Sequence, residues 1–175
     1  MYSGVREVFV GALAAIGGFL LTYKVAEINL DNTLSFIAGA AVGCVALFPT
    51  DRPKTGVGMT PLQARWGEST VATIHYVSAA IFITSLAVLS YYFGNREGAR
   101  TPAPGQQRSP RFWKTFHWAC AGAIAFALLW MLADAAFGWG PRRVLLYGET
   151  LSVIAFGVSW LFKGLERDMF RRKPA

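Results

Sequence analysis

The sequence is poor in charge, cysteine and histidine, and each scarcity excludes a class of protein. Charged residues make up 15% of the chain, against about 25% in ordinary soluble domains. Its two cysteines, Cys44 and Cys120, both lie within apolar segments, which excludes a disulfide framework and any cysteine-based metal motif. Its two histidines form no short metal-binding motif. No internal repeat is apparent.

Long apolar blocks dominate what is present. Hydrophobic residues make up 54% of the 175 residues, and a block of about 20 residues with almost no charge matches a bilayer core of about 30 Å. A soluble chain of this size has too little interior to bury five such blocks. The sequence therefore predicts a single all-α domain over residues 1–175, a transmembrane helical bundle of about five helices. These are predicted over residues 8–23, 34–48, 71–93, 112–132 and 144–162.

The connections between the blocks have a different composition. Residues 51–70 and 94–111 are rich in glycine, proline and charge, which predicts irregular structure and, for the second, a flexible loop. Residues 163–175 form a basic tail. Small residues at a spacing of four predict close packing of the first two helices. The pairs are Gly11 and Ala15, Ala14 and Gly18, and Gly39 and Gly43.

The basic residues are unevenly divided between the two sides of a five-span bundle. One side receives Arg6, Arg52, Lys54, Arg65, Arg142 and Arg143. The other receives Lys24, Arg96, Arg100, Arg108, Arg111, Lys114, Lys163, Arg167, Arg171, Arg172 and Lys173. The positive-inside rule places the richer side in the cytoplasm. The sequence thus predicts a cell-membrane protein with a cytoplasmic C-terminus.

The net charge of +7 also bears on partners. Because the basic residues lie between or after the apolar blocks and carry no aromatic-basic motif, nucleic-acid binding is not expected. Membrane lipids are the expected partners, with anionic lipid at the basic tail. Other membrane proteins are a further class of partner. No cofactor is identified by the sequence.

Ionisable residues within or beside apolar spans are costly and mark candidate sites. In the predicted topology His75 lies about 6 Å, and Glu149 about 7.5 Å, below the outer boundary, at 1.5 Å per residue. Arg6, Asp51 and Asp134 reach the same level from three other segments. The sequence therefore predicts a polar cluster of these five residues near the outer leaflet, which we call the outer cluster.

Three interpretations of the outer cluster are open. Arg6, His75 and Glu149 form a salt-bridge network that fixes the helices, or the cluster binds a lipid head group or small polar ligand. Alternatively, His75 and Glu149 with one aspartate supply three ligands to a catalytic zinc ion. His117 lies in the opposite leaflet, which excludes one haem held by both histidines.

Five stretches together resemble an uncharacterised family of bacterial multi-pass membrane proteins of unknown function. They are VREVFVGALAAIGGFLLTYK (5–24), Asp31–Asn32, VALFPT (45–50), IHYVSAA (74–80) and ETLSVIAFGVSWLFKG (149–164). The resemblance implies six spans, with a helix before the segment that matches Tyr2 to Gly11, so this chain is expected to be a five-span version or to begin late. A more distant likeness to ceramidase-type membrane hydrolases implies three zinc-binding histidines, whereas this chain has two histidines in all.

These observations favour a non-enzymatic membrane subunit, or a protein that binds lipid or a small ligand, over an enzyme. The alternative is a metal-dependent lipid hydrolase that uses the outer cluster. A transporter is the third hypothesis, and it lacks the inverted repeats and broken helices typical of that class.

Overall fold

A computed structural model describes residues 3–22, 30–50, 58–101, 108–138, 140 and 143–165. These residues form six α-helices and contain no β-strand, which confirms the all-α prediction. The helices are α1 (Ser3–Thr22), α2 (Leu30–Leu47), α3 (Pro61–Trp66), α4 (Glu68–Gly98), α5 (Pro110–Phe137) and α6 (Val144–Leu165). The chain divides into two compact units, Met1–Ser85 and Leu86–Ala175, and the boundary lies within α4.

Each of the five predicted apolar segments lies in one long helix except for two terminal residues: Phe48 follows the end of α2, and Tyr23 lies outside the described residues. The observed helices extend beyond the apolar segments: α4, for example, starts at Glu68 and ends at Gly98, where residues 71–93 were predicted. Within the described residues, α4, α5 and residues 144–164 of α6 are long and apolar enough to cross a membrane. The apolar parts of α1 and α2, Val10–Thr22 and Asn32–Leu47, are shorter.

The prediction of irregular structure over residues 51–70 was wrong for α3. Thr60 accepts a hydrogen bond from the Gln63 backbone N–H, and its own N–H donates to the Gln63 side chain. This capping box, with Pro61 in the first turn, satisfies the free N–H groups of a short helix. Residues 51–57 lie outside the described residues.

Two further boundaries differ from the sequence prediction. Residues 94–98, assigned to the flexible loop 94–111, complete α4, and residues 102–107 of that loop lie outside the described residues. Lys163, assigned to the basic tail, is helical, because α6 runs to Leu165. The remaining tail, residues 166–175, lies outside the described residues.

In the first unit, α1 and α2 pack through glycines, as predicted. A β-carbon on Gly17 would lie 3.3 Å from the Gly39 carbonyl oxygen, and one on Gly39 would lie 3.1 Å from the Gly17 carbonyl oxygen. Backbones approach this closely only where side chains are absent. Of the small residues noted in the sequence, Gly39 lies at this contact and the Gly43 nitrogen borders it, 3.8 Å from a β-carbon on Gly17, whereas Gly11 and Gly18 have nothing within 4 Å of their β-positions.

The short helix α3 packs on the end of α2. Trp66 stacks on Phe48 with ring centroids 5.7 Å apart, and the buried Gln63 side chain donates to the Thr50 carbonyl over 3.4 Å. These contacts tie the chain that follows α2 to the start of α4.

In the second unit, α5 buries one side and packs against α6. Its buried residues recur every three or four positions, as expected for one face of a helix. They are Trp113, His117, Ala121, Ile124, Ala127 and Met131. Gly148 of α6 lies against Met131, where a β-carbon would come within 2.5 Å of Met131 Cγ. The helix α5 ends at Gly138, whose left-handed conformation (φ 65°) suits glycine.

The crossing of α4 and α5 gives a matched test of packing. A β-carbon on Gly94 would lie 2.9 Å from the Lys114 carbonyl oxygen and 2.5 Å from Trp118 Cδ1. Because backbone cannot move aside cheaply, Gly94→Ala is expected to destabilise the protein by about 2 kcal/mol. Gly122 of α5 has nothing within 4 Å of its β-position, so Gly122→Ala is expected to stabilise by about 0.5 kcal/mol through helix propensity. Thermal unfolding in detergent micelles measures both shifts, and shifts of the same sign would contradict the packing described here.

Candidate functional site

Of the predicted outer cluster, His75 lies in the first unit. Its ring is buried, and Nδ1 lies 2.6 Å from the Phe48 carbonyl oxygen. A carbonyl only accepts hydrogen bonds, so Nδ1 carries the proton and donates it. His75 of α4 therefore satisfies a carbonyl at the end of α2, where helix termini leave carbonyls without intrahelical partners.

Asp134 and Glu149 lie in the second unit. The Asp134 Oδ1 atom accepts a hydrogen bond from the Gly140 N–H at 2.7 Å, and its carbonyl accepts from the Gly138 N–H at 2.8 Å. Asp134 thus stabilises the turn after α5. Glu149 lies half-buried in the second turn of α6. The structure therefore brings Asp134 and Glu149 into one unit, while His75 belongs to the other.

The remaining members of the outer cluster add nothing to this geometry. The side chain of Arg6 and the whole of Asp51 lie outside the described residues. Within the part of the chain that is described, no group of three or more histidine, cysteine, aspartate or glutamate side chains is placed to hold a metal ion. His75 and Glu149 therefore gain no third ligand from those residues.

A different set of polar side chains, four buried and Lys163 half-buried, lies in the second unit, and we call it the buried polar cluster: Ser90, Glu97, His117, Ser159 and Lys163. Glu97 is 1% exposed. Its carboxylate accepts hydrogen bonds from Lys163 Nζ of α6 and, at 2.7 Å, from Arg100 Nη1. The ion pair with Lys163 connects the end of α4 to α6. A buried carboxylate is tolerated only when paired and hydrogen-bonded in this way.

The centre of the cluster is His117, which has no exposed surface. Its Nδ1 lies 2.8 Å from Ser159 Oγ, and its ring meets the rings of Phe93 at 6.0 Å and Phe116 at 5.3 Å between centroids. The His117–Ser159 pair joins α5 to α6, and the Glu97–Lys163 ion pair joins α4 to the same helix.

Two hydrogen-bonding atoms of the cluster have no partner within the described residues: His117 Nε2 and Ser90 Oγ. Both belong to side chains with no exposed surface. Buried polar atoms without a partner cost about 1–3 kcal/mol each and call for an explanation. They are the one feature of the cluster that a purely structural role does not account for.

The reactions open to the buried polar cluster are limited because a substrate has to reach its side chains. A serine hydroxyl bonded to an imidazole is the arrangement that activates a nucleophile. Here, however, Ser159 and His117 have no exposed surface, so a substrate carbonyl has no path to the hydroxyl. The arrangement can hold helices together or hold a small hydrogen-bonding molecule, and it does not expose a nucleophile.

Sequence reasoning noted His117 and Lys163 singly and missed Glu97. The signal was present, because Ser90, Phe93 and Glu97 follow one another at intervals of three and four residues, the spacing of one helix face. Extending the helical period beyond the apolar block would have placed Glu97 on the face that carries Ser90.

Comparison with known proteins adds nothing to these observations. The chain matches no family model, and it has no match among curated proteins or solved structures. Fold and site together define the class: an all-α protein whose described residues include three helices long and apolar enough to cross a membrane, with a polar cluster among the helices of its second unit.

Proposed function

We propose that this chain is a multi-pass integral membrane protein of the cell membrane, which crosses the bilayer with α1, α2, α4, α5 and α6 and acts without catalysis as a membrane subunit or lipid-binding protein. One observation carries the proposal: large apolar side chains are exposed along every long helix, while both histidines, one carboxylate and several serines are buried. In a water-soluble protein the distribution is the reverse.

The exposed apolar side chains form continuous faces. Examples from the five long helices are Val8 at 75%, Phe36 at 61%, Val77 at 54%, Leu129 at 65% and Ile154 at 58% exposure. Contiguous apolar surface on this scale needs lipid or a partner protein to cover it. Lipid supplies that cover along the whole length of each helix, which favours insertion in a bilayer.

Two arguments support the finer parts of the proposal. The excess of basic residues on the side that holds the 94–111 loop and the C-terminus favours a cytoplasmic location for both. The lack of access to the Ser159 hydroxyl favours a non-enzymatic role. Lipid is then the molecule that this surface contacts by necessity, so lipid binding is the simplest function for it.

Cysteine labelling tests both insertion and orientation. After Cys44→Ala and Cys120→Ala, a single cysteine is introduced either at Gly58, before α4, or at Thr101, after it; both positions are exposed. With a membrane-impermeant maleimide on intact cells, Gly58→Cys is expected to react at once and Thr101→Cys only after permeabilisation. The converse pattern would reverse the orientation, and reaction of both from outside would contradict a crossing by α4. Release of the protein by alkaline carbonate would overturn membrane integration altogether.

A further inference from the structure

One exposed stripe of α5 changes from basic to aromatic to apolar along its length. It begins with Arg111 and Lys114, continues with Trp118, and then holds Gly122, Ala125, Leu129 and Leu132. These positions recur at intervals of three and four, so they share one face of the helix. All are exposed except Lys114, which is half-buried. The stripe is therefore available to a molecule outside the bundle.

The aromatic part of the stripe is held in a fixed position by α4. Tyr91 stacks on Trp118, with ring centroids 5.5 Å apart and planes 13° apart. The Trp118 Nε1–H donates to Asn95 Oδ1 at 3.2 Å. Lys114 Nζ lies 4.4 Å from the centroid of the Trp118 ring, a cation–π contact that keeps the ammonium group beside the aromatic pair.

Positive charge is in excess at this end of the second unit. The described residues from Asn95 to Trp118 and from Ser159 to Leu165 contain one acidic side chain, Glu97, which is occupied by its ion pairs. The basic side chains there are Arg96, Arg100, Arg108, Arg111, Lys114 and Lys163. Among these described residues, none on the face of α5 that carries Arg111 and Lys114 is acidic.

We propose that this stripe binds one anionic phospholipid, with its phosphate at Arg111 and Lys114, its glycerol and ester groups beside Trp118 and Tyr91, and an acyl chain along Gly122 to Leu129. This inference rests on the proposed membrane location. Basic side chains next to tryptophan and tyrosine are the combination that meets lipid head groups at a membrane interface.

The length of the stripe favours a lipid over a soluble anion. From Trp118 to Leu129 the helix rises about 16 Å at 1.5 Å per residue, close to half of the roughly 30 Å hydrocarbon core. The apolar part therefore matches one acyl chain in one leaflet. Gly122, with open space around its β-position, leaves room for the chain directly below the Trp118 ring. A free phosphate would use only the basic end of the stripe.

The test uses the full-length protein reconstituted in phosphatidylcholine bilayers with trace spin-labelled lipids. Electron spin resonance gives the fraction of each labelled lipid immobilised on the protein. Labelled phosphatidylglycerol is expected to be preferred over labelled phosphatidylcholine of the same chain length, and Arg111→Gln with Lys114→Gln is expected to lower that preference about fivefold or more. The matched control, Arg171→Gln with Arg172→Gln, removes the same charge from the tail and is expected to retain most of the preference. Arg111→Lys with Lys114→Arg should also retain it.

Each other outcome has a defined meaning. Equal immobilisation of both lipids by the wild type, or loss of the preference in the tail variant alone, would overturn this inference while leaving membrane integration intact. Competition by inorganic phosphate, with no dependence on the acyl chain, would overturn it in favour of a soluble-anion site. No immobilised lipid of either kind would instead refute the proposed function. Immobilised phosphatidylcholine on the Arg111/Lys114 variant shows that this variant is folded and inserted.

Discussion

Glu97→Gln is expected to destabilise the protein by about 3 kcal/mol, a typical cost of breaking a buried ion pair. The substitution keeps the shape of the side chain and removes only its charge. Glu97 is 1% exposed, and it pairs with both Lys163 and Arg100. Losing the carboxylate leaves the half-buried Lys163 ammonium between α4 and α6 without its counter-charge, whereas Arg100, with 41% of its side chain exposed, can turn to solvent.

Thermal unfolding in detergent micelles measures this effect. The matched control is Glu68→Gln, which removes the same charge from the first turn of α4, where a carboxylate stabilises a helix by about 0.3–1 kcal/mol. The double variant Glu97→Met with Lys163→Met is expected to be more stable than either Glu97→Met or Lys163→Met alone, because it removes both charges of the ion pair together. If the double variant loses as much stability as the two single variants do together, the Glu97 and Lys163 side chains do not form a coupled pair.

The helices could be predicted from the sequence because they depend on a strong local signal. A block such as residues 112–132 has to be helical in lipid, where every backbone group must find a partner within its own segment. The missed element, α3, depended on a weaker signal of three residues, Thr60, Pro61 and Gln63, in a stretch whose glycine and proline content indicated a loop. A capping box can start a helix in such a stretch.

The candidate site was harder to predict because two side chains predicted to lie at the same depth in a membrane need not contact each other. His75 and Asp134 were assigned to one level, but each forms a hydrogen bond with a nearby backbone group, the Phe48 carbonyl and the Gly140 N–H. Backbone atoms at helix ends offer such bonds whatever the rest of the bundle does. The helical spacing could have placed Glu97 on the face of Ser90, but its partner Lys163 lies 66 residues further along the chain, and no local pattern indicates that contact.

His117→Ala is expected to destabilise the protein by about 3 kcal/mol, because it removes a large, fully buried ring and leaves a cavity. The ring contacts Phe93, Trp113 and Phe116, and its Nδ1 shares a hydrogen bond with Ser159 Oγ. His117→Phe retains most of the volume and loses only the hydrogen bond. Its expected cost is about 1 kcal/mol, since a helical serine can bond to a carbonyl of its own helix instead.

The double variant His117→Phe with Ser159→Ala separates packing from polar function. It removes both partners of the hydrogen bond and the unpartnered Nε2 together, so a purely structural cluster predicts a stability within about 1 kcal/mol of the wild type. Thermal unfolding in detergent micelles of the wild type, His117→Phe, Ser159→Ala and the double variant completes the cycle, with Ser152→Ala, which removes the other buried α6 hydroxyl, as the control. A double variant as unstable as His117→Ala would mean that Nε2 forms a hydrogen bond that neither Ser159 nor the aromatic neighbours supply. That result would assign to the buried polar cluster a bound molecule in the folded protein, because the phenylalanine ring of the double variant retains the volume whose loss makes His117→Ala unstable.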